Sequence, residues 1–369
     1  MQYQKLIYDL IIEKMNRRKF FGMGASALAG MALMPSLASC AGEAAKPAAK
    51  AADGKVNSDF GGVHIGVITY SWRDMPGGLE NLLDYCRRAG VSNLELMGND
   101  LETALGAPES PMMSLYASVF ARLTEEQRNR AMSSGAGIMD VMTDDEKKQL
   151  ADFQKAYSDF RNNLDMNKVE EVRKRFEDLG IDIHIVKTQP TSASSDEDIE
   201  YAFKLAKAMG AKGVTSEMSV ENAKRCAPFA EKYDMYYCMH NHFQYATPEF
   251  AAGPEEVLAV SPNVMLNFDF AHYFGSTGKN PCDFIEKYHD RIFSMHTKDK
   301  TGPDAATPNE NQVWGQGQTP LADVLKLVQS KYPQIYCDIE LEYAVAPWSD
   351  SVKEVGTCVK FARQVLELS

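Results

Sequence analysis

Glu217, His240, Asp269, His296 and Glu340 are five side chains able to hold a divalent cation, and each stands at one kind of position. Each closes a short run of apolar and β-branched residues. The runs are Gly213-Val214-Thr215-Ser216-Glu217, Met235-Tyr236-Tyr237-Cys238-Met239-His240, Val264-Met265-Leu266-Asn267-Phe268-Asp269, Ile292-Phe293-Ser294-Met295-His296 and Ile335-Tyr336-Cys337-Asp338-Ile339-Glu340. One His or Asp at the end of a strand is usually structural. Five at equivalent ends of five successive runs form a pattern that points to a metal site. Mixed imidazole and carboxylate ligands suit Mn, Co, Zn or Fe better than Ca or Mg, which prefer oxygen shells. The pattern does not choose among the four.

The neighbours of these residues add acid–base groups. In His240-Asn241-His242-Phe243, positions i and i+2 share a face if the strand continues; otherwise His242 lies in the following loop. Asp269-Phe270-Ala271-His272 places a second imidazole one turn beyond Asp269. In His296-Thr297-Lys298-Asp299, Lys298 shares a side with His296 and can polarise a carbonyl or alkoxide; its bland alternative is a rim salt bridge to Asp299. Trp314-Gly315-Gln316-Gly317 either lines a sugar or is a glycine turn beside a packed Trp.

Positioning these groups requires the rest of the chain. Upstream strands are expected at His64–Tyr70, Ser92–Met97 and Ile181–Lys187. Helical patterns near 78–89, 167–179, 196–209, 219–232, 253–260, 281–288 and 320–331 separate the eight strands, and a last helix is expected near 350–367. Alternating βα units give a parallel sheet, and eight suggest a closed (β/α)8 TIM barrel whose strand C-termini assemble the site. A doubly wound open sheet is the alternative, but no glycine fingerprint follows the first strand. Residues 100–165 break the rhythm. With capping-box-like Thr124-Glu125-Glu126-Gln127 and Thr143-Asp144-Asp145-Glu146, they read as a helical insertion between strands 2 and 3, over the barrel mouth.

The chain has 369 residues, 44% of them hydrophobic, enough for one large core. Its formal charge is −12; residues 1–39 carry five basic and two acidic side chains, so the remainder carries −15. That charge disfavours nucleic acid and other polyanions. The seven cysteines are scattered without a CxxC pair, so no disulfide framework is expected. Asn16-Arg17-Arg18-Lys19-Phe20-Phe21 precedes an apolar run that ends in Leu37-Ala38-Ser39-Cys40. This resembles a twin-arginine signal with a lipobox, which makes Cys40 the lipidation site of a periplasmic or cell-envelope lipoprotein. Met15 reads as the true start, residues 1–40 as the signal segment, 41–60 as a flexible tether and 61–369 as the catalytic barrel.

Asp269-x-x-His272, His296-x-Lys298-Asp299 27 residues after Asp269, and Glu340-Leu341-Glu342 together resemble the xylose isomerase-like TIM barrel superfamily. That superfamily includes sugar epimerases, inosose dehydratases and, more distantly, endonuclease IV. The resemblance covers roughly residues 62–369; Tyr70-Ser71-Trp72-Arg73 and Leu94-Glu95-Leu96-Met97 look like the family's first two strand ends. It implies metal ligands at Asp269, His296 and Glu340. Where epimerases carry a fifth-strand glutamate, this chain has His240, and Glu217 is a candidate for the missing carboxylate. Tyr70, Trp72, Glu95, His242 and Trp314 are expected to contact substrate. The implied chemistry is isomerisation or epimerisation of a non-phosphorylated sugar or keto-sugar through an enediolate. Glu340 or His240 would be the base, and Lys298 or His272 would steady the oxyanion. Elimination from a 3-keto-glycoside uses the same proton abstraction. Outside catalysis, the alternatives are a lipid-anchored sugar-binding protein and, more remotely, metal-dependent DNA repair. A homo-oligomer is compatible with the sequence.

Overall fold

The computed structural model describes residues 54–124, 127 and 138–368. The twin-arginine pattern, the lipobox with Cys40 and the first part of the tether lie outside the described residues.

Eight strands form the frame: β1 (Val63–Ile68), β2 (Asn93–Met97), β3 (Asp182–Lys187), β4 (Gly213–Glu217), β5 (Tyr236–His240), β6 (Val264–Asp269), β7 (Ile292–Thr297) and β8 (Tyr336–Ile339). Each pairs in parallel with the next. Closure comes from β8 beside β1, with Cys337 opposite Ile65 and Ile339 opposite Val67. Helices return the chain to the same edge after each strand, as a parallel ladder requires. The (β/α)8 barrel is therefore present. Two strand ends fall short of expectation. β1 stops at Ile68, and Thr69–Trp72 form a 3-10 turn that takes Tyr70 out of the strand. Glu340 lies one residue beyond β8, tied by its N–H to the Thr297 carbonyl at 3.1 Å.

Sequence-local signals set the helix ends. Ser195, Ser219, Asn280 and Asp350 cap their helices with side-chain oxygens, and Gly90 ends Leu79–Ala89 at φ 77°, a left-handed conformation suited to glycine. Residues 56–60, expected in the tether, are pinned to the barrel. Val56 N–H reaches the Leu179 carbonyl, Ser58 is fully buried, and Asp59–Phe60 pair antiparallel with Val63 and His64.

Val63, Ile65, Val67, Leu94 and Val214 are fully buried apolar strand residues, and a cross-barrel histidine–carboxylate contact is buried with them. His184 Nε2 on β3 lies 2.8 Å from Asp338 Oδ2 on β8, both wholly buried, with the Tyr336 ring stacked 3.9 Å from His184. A Cβ at residue 66 would sit 2.0 Å from Asp338 Oδ1, so this pair requires Gly66. The six described cysteines are unpaired thiols, five of them buried.

Residues 107–164 form a compact unit of their own, separate from the barrel unit. Within it Met112–Arg122, Ile138–Val141 and Asp144–Asn163 are helical, and Leu115, Tyr116, Val119, Phe120, Leu123, Met142 and Leu150 form a small core. The expected capping box at Thr143 and Glu146 is reciprocal, and Thr124 and Gln127 exchange the same two bonds. Among the described residues no helix is long and apolar enough to cross a membrane.

Candidate metal centre

Four consecutive strands, β5 to β8, deliver His240, Asp269, His296 and Glu340 to one point. One ligand atom from each lies within 4.8 Å of all the others, and all four residues are buried. Register explains the meeting: Asp269 pairs directly with His296, and Asp338, two residues before Glu340, pairs with His296 from the other side. Asp269 is also a helix cap. Its Oδ1 accepts the His272 N–H at 2.7 Å, which fixes the carboxylate and turns Oδ2 toward the centre. Asn241 locks the same strand end, donating to the Asp269 carbonyl at 2.9 Å and accepting the Asp269 N–H at 3.0 Å.

His296 is held from both sides. Nδ1 lies 2.8 Å from Glu340 Oε2 and Nε2 lies 2.8 Å from Glu95 Oε2. Burial works against a charged imidazole, but the Glu340 and Glu95 carboxylates outweigh it and raise the His296 pKa to about 10. Burial likewise opposes a charged Glu95, yet the His296 charge and hydrogen bond bring its pKa down to about 2.

Lys298 is central. Its Nζ lies 2.8 Å from Asp269 Oδ2, 2.5 Å from Glu340 Oε2 and 2.7 Å from Glu342 Oε2, with the side chain 3% exposed. Burial disfavours this ammonium, but the three carboxylates hold its pKa well above the ordinary lysine value. A rim salt bridge with Asp299 does not form. The Asp299 carboxylate instead receives the N–H groups of Gly315 and Gly317 at 2.9 Å and of Thr319 at 3.2 Å. The Trp-Gly-Gln-Gly segment therefore wraps a buried carboxylate; a Cβ on Gly317 would lie 2.2 Å from Asp299 Oδ1.

The remaining imidazoles surround this hub. His272 Nε2 lies 3.7 Å from Asp269 Oδ2 and 3.6 Å from Glu342 Oε2. Burial lowers its pKa to about 4 against the pull of Asp269, leaving a neutral ring. His242 lies past the end of β5, in the loop; its side chain is 40% exposed and its Nε2 lies 3.3 Å from Glu217 Oε2. Glu217 Oε1 lies 3.5 Å from His240 Nδ1, so Glu217, His240 and His242 make a second cluster that shares His240 with the first. The structure thus groups Glu217 with the two β5-end histidines and not with Asp269, His296 and Glu340.

These donors suit a divalent ion. Among the described residues, both ring nitrogens of His240 and both of His272 are buried without a hydrogen-bond partner, and Asp269 Oδ2 has an ion pair but no aligned donor. Buried polar atoms are rarely left so. Lys298 marks the same spot as one that stabilises positive charge.

The expected substrate contacts divide. Tyr70 is half-buried, with the Arg73 guanidinium 4.5 Å over its ring. Trp72 packs edge-on against Tyr85, and Trp314 edge-on against Phe361; both are buried as core residues. Glu95 has no exposed surface and holds His296, with Asn267 Nδ2 donating to the same oxygen at 2.8 Å. Glu95 leaves no surface for substrate to touch, and Trp72 and Trp314 leave little, so all three read as support. The sequence reading named Glu342 only within its motif, without a role, and passed over Asn267. Glu342 had a signal, since it stands at i+2 from Glu340; Asn267 had none, being one polar residue inside an apolar run.

The family model described as xylose isomerase-like TIM barrel matches residues 130–359. A search of curated proteins finds no match. Among solved structures, a xylose isomerase domain protein from Alicyclobacillus acidocaldarius superposes with a TM-score of 0.53 at 12% identity, covering 82% of this chain and 99% of its own. The probable 3-DHS dehydratase AsbF from Bacillus anthracis gives 0.52 at 14% identity, covering 81% and 98%. An uncharacterized protein from Parabacteroides distasonis gives 0.50 at 19%, covering 82% and 99%. These likenesses establish the fold.

Proposed function

The chain belongs to the xylose isomerase-like TIM barrel family, and from that premise we propose a metal-dependent enzyme that removes the proton alpha to a carbonyl of a non-phosphorylated sugar or keto-sugar. Isomerisation or epimerisation is the outcome. The observation that carries this reading is the convergence of His240, Asp269, His296 and Glu340 around the Lys298 ammonium at the C-terminal ends of β5 to β8.

Those four residues would hold the ion, of the Mn, Co, Zn or Fe class. When bound, it supplies positive charge that polarises the sugar carbonyl and stabilises the negative charge developing on its oxygen. Glu340 takes the proton. Its carboxyl is held well below the ordinary range, because Lys298 and His296 outweigh burial, so it is ionised. Lys298 Nζ, in contact with Glu340, and the neutral His272 face the oxyanion that forms. His240 stands where a second carboxylate would return the proton on the opposite face, and its imidazole can do so.

That substitution favours a second reading, elimination from a 3-keto-glycoside. Elimination needs one base and an acid for the leaving oxygen, and half-exposed His242 would be that acid. Export through the twin-arginine-like segment and anchoring through Cys40 remain part of the proposal. With the −15 charge of the body, they support a neutral sugar over a sugar phosphate.

The Glu340→Gln variant tests the assignment. It should fold with unchanged circular dichroism and lose turnover by at least the hundredfold expected of a general base. Unchanged turnover would remove Glu340 from the mechanism.

A further inference from the structure

Glu217 and His240 are register partners at the ends of β4 and β5, and His242 follows two residues later. One donor atom from each lies within 4.8 Å of the others. His240 Nδ1 points to Glu217 at 3.5 Å and Nε2 to Asp269 at 3.7 Å, and neither nitrogen has a hydrogen bond although the residue is 1% exposed. One ring thus offers a free nitrogen to each of two clusters. The clusters differ in character. The first is buried throughout and already contains the Lys298 ammonium. In the second, Glu217 and His242 side chains are 20% and 40% exposed, and among the described residues no lysine or arginine pairs with Glu217. Two histidines and a glutamate with one side open to solvent form the donor set of zinc sites that keep a coordination position for water or substrate.

We propose that Glu217, His240 and His242 bind a second divalent cation beside the first, zinc being the best match to the donor set. The inference rests on the metal reading of the first cluster.

Equilibrium dialysis of the full chain against zinc, followed by elemental analysis, tests it. Two equivalents are expected in the wild type and one in both His242→Ala and Glu217→Gln, with metal-free melting of His242→Ala unchanged. One equivalent in the wild type, or two in both variants, overturns the second ion while leaving the first. No zinc in the wild type overturns both.

Discussion

Replacing Lys298 by Met removes a buried cation and leaves its three carboxylates behind. Each contact, at 2.5 to 2.8 Å, amounts to about 6 kcal/mol of Coulomb attraction at an effective dielectric of about 20. Desolvation of the ammonium and carboxylates offsets most of that sum. Breaking a buried pair nevertheless costs about 3–5 kcal/mol, because the remaining charges stay uncompensated. At roughly 2–4 °C per kcal/mol for a domain of this size, the chelated Lys298→Met protein should melt some 6–20 °C below wild type. A divalent ion reverses the order of sensitivity. In the wild type it must compete with the ammonium for Asp269 Oδ2 and Glu340 Oε2; in the variant that competitor is gone. Scanning calorimetry with chelator and then with manganese or cobalt should therefore show a larger metal-induced rise in Tm for the variant. A chelated variant that melts with the wild type, or a smaller rise, would refute the view that Lys298 holds the place of a cation.

Further outcomes follow from the same contacts. Glu95→Gln keeps the shape but loses the charge behind His296 Nε2, so metal affinity should fall about 10–100-fold, read by competition with a chromophoric chelator; unchanged affinity would make Glu95 a mere core residue. His296 carries a raised pKa of about 10 in the metal-free protein, so its charge stabilises that form fully below its unfolded value near 6.5 and the contribution disappears as pH rises through about 10. Metal must displace the same proton, so affinity should climb up to tenfold per pH unit below about 10, and a flat titration would contradict the ligand assignment. Asp299→Ala orphans three backbone N–H groups, costing about 1–3 kcal/mol; limited proteolysis should then cut faster within 301–319, and an unchanged rate would show that the carboxylate does not anchor that loop.

The barrel was legible because its strands are short β-branched runs of one kind, separated by helical patterns. The metal residues were legible for the same reason: a polar side chain closing an apolar run stands out. Long-range geometry was not. Glu95 looked like a strand-end substrate contact, but it reaches across the barrel to His296, 201 positions away in sequence, and no local pattern encodes that. Trp314 looked like a sugar platform because glycines flank it; those glycines serve Asp299, and the Trp packs on the last helix. Lys298 was expected to choose between substrate and its chain neighbour Asp299. It pairs instead with carboxylates from β6 and from the segment after β8, because adjacent strand residues point to opposite faces while register brings distant ones together.

The central claim is that the four-residue centre and a bound ion together loosen a proton beside a sugar carbonyl. Proton NMR in D2O of ketoses and keto-glycosides incubated with metal-loaded protein tests this most directly. The account predicts exchange at the carbon alpha to the carbonyl, abolished by chelation, restored by manganese or cobalt, and absent in Glu340→Gln. Exchange that survives both chelation and Glu340→Gln, or its absence in a protein shown to carry its ion across the whole substrate panel, would contradict it.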